Sequence, residues 1–191
     1  MKIADCQCLF TATISLTQIP SPENTPVNMI AASIMEMVRA YESDGIIFLK
    51  SGDPVNALAG FYYGFGWLHY GLASGLFAIK DVPACPFNDP AEILPAPFRS
   101  KLEEKSHRYG RLLDIALSSV VCAPDPGTIN HNYAMKVLFI AGVYARRGEL
   151  LVKSGAYEDA LTCFSYGHGW LDAGVATGLY RITSNREIFC I

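Results

Sequence analysis

The sequence is short of charge. Only 17% of its 191 residues are Asp, Glu, Lys or Arg, and the net charge is −3. That balance gives no electrostatic footprint for nucleic acid or for an anionic membrane surface, so neither is expected as a partner. The six cysteines (Cys6, Cys8, Cys85, Cys122, Cys163 and Cys190) include no CxxC pair. They read as buried free thiols of a reducing cytosol. No signal peptide is read at the N-terminus, because Asp5 interrupts its apolar run. A cytoplasmic protein is the expectation. Glycine-rich phosphate loops are missing too, since the glycines fall inside helical patterns with no strand before them. No Arg stands four to six residues before a His, the spacing of one type of helical ribonuclease. No Ser-His-Asp or Cys-His order stands out. No catalytic residue, cofactor or metal ligand is therefore assigned.

What the chain does have, it has twice. Ser51 to Phe77 and Ser154 to Tyr180 align without a gap, with about half the positions identical. Gly64 answers Gly167, Trp67 answers Trp170 and Gly75 answers Gly178, an offset of 103 residues. A repeat of this kind sets the architecture before any single residue is considered. About half of the residues are apolar, so each unit can contribute to a real core.

Three helices are expected in each unit. In the second, Ser100 and Glu103 form an S-x-x-E capping box. Tyr109, Leu112, Leu113, Ala116, Leu117 and Val120 then recur at helical spacing. Residues 1–19 are ambiguous alone and are assigned to the matching helix. Pro20-Ser21-Pro22 pairs with Pro124-Asp125-Pro126 by a one-residue slip. Thr25-Pro26 and Asp53-Pro54 place a capping side chain before a proline at the first helical position. Gly52 and Gly155 close the middle helices, the second of which is expected to start near Asn132. The short links make successive helices antiparallel neighbours. Between the units, Pro83, Pro86, Pro90, Pro95 and Pro97 allow no helix or central strand, which predicts a semi-rigid linker. The expected fold is all-α, with two tandem three-helix up-and-down bundle units. The first spans 1–80, the linker 81–98, the second unit 99–183 and a tail 184–191.

On the repeated third helix, a stripe of small residues includes Gly64, Gly71 and Gly75, answered by Gly167, Gly174 and Gly178. Each interior glycine costs about 1 kcal/mol of helix propensity. Close helix packing is the expected return. The run from Pro54 to Ile79 lacks Asp, Glu, Lys and Arg, yet a membrane span is not expected. Its equivalent carries His168 and Asp172 in mid-helix, costly in lipid, and equivalent helices should share one environment.

The run from Gly155 to Gly174, G-x-Y-x-x-A-L-x-C-F-S-Y-x-H-G-x-L-D-A-G, resembles the archaeal family called domain of unknown function 357. The resemblance covers most of 99–182 and, more loosely, 26–80. In the first copy Phe65 stands for the His and His69 for the Asp. The resemblance implies a three-helix bundle and an archaeal origin, and it brings no catalytic residue. A weaker likeness of Gly155, Tyr157, Ala160 and Phe164 to tetratricopeptide helices fails, because an offset of 103 residues is far from that repeat's roughly 34.

Candidate ligand-binding residues are few. His168 and Asp172, at i and i+4, read either as an oriented imidazole that begins a proton-transfer or metal site, or as a structural polar pair. Tyr63, Trp67 and His69 belong to an aromatic stretch that reads as core packing or as a pocket between helices. Arg146-Arg147 reads as a solvated basic spot. The leading expectation is an uncharacterised non-enzymatic helical protein that acts through protein association, with another protein or with itself. The alternative is a small-molecule binder or enzyme using an aromatic inter-helix pocket.

Overall fold

A computed structural model describes residues 1–81 and 85–190. Pro83, in the expected linker, lies outside them. The described residues form α1 (Ile3–Leu16), α2 (Pro26–Lys50), α3 (Pro54–Ala73), α4 (Arg99–Ser118), α5 (Ile129–Lys153) and α6 (Tyr157–Ala176). Two short strands, β1 (Val120–Cys122) and β2 (Tyr180–Ile182), pair antiparallel. The protein is all-α, built from two tandem three-helix units.

The duplication runs through the backbone at one offset. α2 and α5 have the same bounds once shifted by 103 residues, and so do α3 and α6. Thr25 and Thr128 are equivalent N-caps, each accepting a backbone N–H three residues on. α5 therefore starts at Ile129, three residues before the expected Asn132. Gln18 pairs with Ala78 where Val121 pairs with Arg181. No slip is needed at the prolines. Asn24 and Gly127, equivalent residues before the cap, both take a left-handed backbone. Asn is one of the few residues that tolerate it.

Three further details differ from the sequence reading. α4 has no side-chain cap, because a 3-10 turn at Ala96–Phe98 leads directly into Arg99, so Ser100 is already inside the helix. Gly75 and Gly178 do not lie on the packing stripe. They follow the helix ends with φ near +80°, and a Cβ there would touch nothing. They are helix-stopping residues. The proline-rich segment is docked over residues 87–94. Phe87 lies on Tyr62, Tyr144 and Tyr166. Glu92 N–H donates to Met1 O, and the N–H groups of Ala91 and Leu94 donate to Asp159 and Glu158 in the first turn of α6.

Within each unit the glycines of the third helix receive bulky neighbours. Gly64 faces Phe10 and Tyr41, and Gly167 faces their equivalents Leu113 and Tyr144. Gly71 faces Phe77, and Gly174 faces Tyr180. The units meet through another pair, Gly66 and Gly169. A Cβ on Gly66 would lie 2.5 Å from Tyr166 O and 3.0 Å from Gly169 Cα. The residues that touch are equivalent, as a two-fold relation between the copies requires. One apolar cluster spans both units. Of the cysteines expected to be buried, Cys6 and Cys163 are, whereas Cys122 is half-buried and Cys8, Cys85 and Cys190 are exposed. No helix among the described residues is long and apolar enough to cross a membrane.

Candidate functional site

The crossing of α3 and α6 brings polar side chains together in two symmetry-related pairs. Tyr63 donates its hydroxyl to Asp172 Oδ2. At the equivalent place Tyr166 OH meets His69 Nδ1 at 2.8 Å. The duplication has kept the tyrosine and changed its partner from imidazole to carboxylate. Of the five candidate ligand residues, Tyr63, His168 and Asp172 come together. His69 sits in the other pair, and Trp67 is packed in the core with its indole Nε1 unpartnered.

Asp172 is fully buried at 0% exposure and also accepts the N–H of Cys190 at 3.2 Å. His168 Nε2 lies 3.8 Å from Asp172 Oδ1, too far for a hydrogen bond, and both atoms lack a partner. Burial raises the Asp172 carboxyl above its ordinary range and lowers the His168 imidazole. Both shifts oppose the charged form, as desolvation does. Burial likewise brings His69 down to about 4. No group of three or more His, Cys, Asp or Glu among the described residues could hold a metal.

Beside this crossing lies a cleft of about 390 Å³ between α2 and α3 on one side, and α4, α6 and Glu187, Ile188 and Cys190 on the other. Tyr63 and His168 line it; Trp67 and His69 do not. At one end Lys105, only 6% exposed, donates to Asn56 Oδ1 and stands 4.8 Å from the Tyr109 ring. Burial, reinforced by Arg108, pushes its ammonium down to about 8. Ser165 Oγ, also on the cleft wall, is buried without a partner. At the other end the Tyr41 and Tyr63 rings lie 4.4 Å apart. The Tyr41 hydroxyl reaches Cys190 Sγ at 3.5 Å.

Sequence reasoning missed Lys105, Ser165, Tyr41 and Cys190. A charged residue on an amphipathic helix gives no sign of burial by another unit. The offset did hold a signal for Ser165, which answers Tyr62 and exchanges a large aromatic for a small hydroxyl.

A second surface is apolar and faces outward. Met135, Phe139, Val143 and Leu150 are exposed on one side of α5, Phe139 at 71%. Ala134, Val137, Ala141 and Ala145 are buried on the other. Arg146 lies on the exposed side, where it pairs with Glu149 at 2.6 Å; its neighbour Arg147 stacks over Phe87.

A family model described as protein of unknown function (DUF357) matches the chain twice, over residues 7–77 and 108–180. No curated protein and no solved structure matches the chain.

Proposed function

The chain belongs to this family of unknown function, and we propose that it is a non-enzymatic helical protein that associates with a second copy of itself through the outer face of α5. The observation that carries this reading is the exposed stripe Met135, Phe139, Val143 and Leu150. The duplication supplies an internal control. At the same positions of α2 stand Ala32, Glu36, Ala40 and Ile47. α2 packs its inner face as α5 does, with Glu36 where α5 has Phe139, so the fold does not require an apolar outer face. Large apolar groups held in water at this helical spacing suit a partner helix. A two-fold contact, the commonest form of self-association, would bring the stripe onto itself. Gly142, on the same side and with no atom near its Cβ position, lets another helix come close.

Free thiols at all six cysteines suit the reducing cytoplasm. Sedimentation velocity over a range of concentrations tests the association. A dimer is expected, converted by Phe139→Glu to a monomer that stays helical by circular dichroism and whose Tm no longer depends on concentration, and left intact by Glu36→Ala. A wild-type chain that stays monomeric at every concentration overturns it.

A further inference from the structure

The cleft between the copies has a filled counterpart on the other side of the two-fold relation, and the comparison indicates what it takes. There, the ring of Phe87 lies 5.0 Å from Tyr144, 5.1 Å from Tyr166 and 5.0 Å from Tyr62. The equivalents of these three tyrosines are Tyr41, Tyr63 and Ser165, all on the cleft wall. The two tyrosine pairs have nearly the same geometry, with ring centroids 4.4 Å apart in the cleft and 4.5 Å apart in its counterpart. Phe87 itself is answered by Cys190, and Phe65 by His168. Three aromatic side chains that close one side are thus replaced by Cys190, Ser165 and His168 on the other. The cleft is the room that these exchanges leave.

The replacements also change the chemistry. Ser165 Oγ and His168 Nε2 are buried without partners. A buried polar atom without a partner has lost its water and gained nothing in return, so groups of this kind normally have something to bond. Lys105 brings a buried ammonium that makes no ion pair among the described residues; its bond goes to the neutral Asn56 amide. Its equivalent, Lys2, is exposed at the N-cap of α1, so the filled side has no matching buried cation. On α3, Tyr63 lies seven residues beyond Asn56, about 10 Å at the helical rise. That separation spans a ring and a short chain ending in an acid. A volume near 390 Å³ falls in the range of small-molecule sites.

We propose that this cleft binds a small aromatic carboxylate, its ring on Tyr41 and Tyr63 as Phe87 lies on Tyr144 and Tyr166, and its carboxylate on Lys105. Asp44 and Glu187, also on the wall, disfavour a second negative charge. The site is separate from the outer face of α5 and does not depend on self-association.

Isothermal titration of the full chain with 3-phenylpropionate tests this. Three companion probes alter this molecule: 3-phenylpropanamide removes the charge, 3-cyclohexylpropionate removes the planar ring and 2-phenylethylamine replaces the carboxylate by an ammonium of opposite charge. Binding of 3-phenylpropionate is expected, at least tenfold tighter than any of the three. Lys105→Met should weaken it at least tenfold. Cys190→Phe should abolish it by placing in the cleft the ring that Phe87 supplies opposite, and should raise Tm. Circular dichroism confirms that each variant is folded. No binding by the wild type, equal binding of the amide, or binding unchanged in Cys190→Phe overturns the proposal.

Discussion

Gly66 and Gly169 are the same residue of two copies of one sequence, and they lie against each other. Their missing side chains let α3 and α6 approach until each backbone fills the space where the other's Cβ would stand. The obstacles around them are mostly backbone atoms, which cannot swing aside as a side chain can.

Gly66→Ala and Gly169→Ala should therefore destabilise the protein, each by about 2–4 kcal/mol, although alanine is the better helix former. Gly60→Ala is the control, because its Cβ would meet nothing nearer than 3.7 Å. It should gain up to about 1 kcal/mol from propensity. Urea denaturation of the three variants reads the contrast. Equal effects at Gly60 and Gly66 would remove the close crossing.

The His69 imidazole is held by burial at about 4, below its ordinary 6.5. Between those values the unfolded chain binds more protons than the folded one, so stability falls as pH falls. His69 alone should account for a loss of about 2 kcal/mol between pH 7 and pH 5. The pH dependence of His69→Gln, measured by urea denaturation at both values, should be shallower by that amount. Parallel curves would show that His69 is not held neutral.

Tyr63→Phe removes one of the two donors that Asp172 Oδ2 receives in the core. A cost of about 1–3 kcal/mol is expected, since the carboxylate cannot turn to water. The equivalent Tyr166→Phe takes a hydroxyl from His69, a neutral partner, and should cost less, about 1 kcal/mol. Denaturant midpoints rank the two; the reverse order would place the greater demand on the His69 side.

Residues 99–191 expressed alone would expose the face of α6 that α3 covers. With Phe139→Glu removing the outer face of α5 from both proteins, the fragment is expected to self-associate through Gly169, taking its own second copy in place of the first unit, or to unfold at lower urea than the whole chain. Light scattering and denaturation together decide. A monomeric fragment as stable as the full chain would contradict the shared core.

Local chemistry settled much of this fold in advance. Thr25 before Pro26 and Asp53 before Pro54 cap their helices with their own side chains, contacts made within three residues. Gly52 and Gly155 stop helices because a left-handed backbone needs no partner elsewhere. The repeat announced two like units. What lay beyond one unit was less legible. The glycine stripe through Gly64 and Gly167 was visible, yet it packs each helix within its own bundle; the crossing uses Gly66 and Gly169. Both pairs are repeated glycines on one helix, and only the placement of the second unit tells them apart. The same placement joined Tyr63 to Asp172, parted His69 from His168 and buried Lys105 beside Asn56. Propensity, caps and periodicity act along a few residues of chain, so the sequence could express them by itself. Contacts between residues some hundred positions apart depend on how two surfaces meet, and that is decided by the shapes of α3 and α6 in the folded protein.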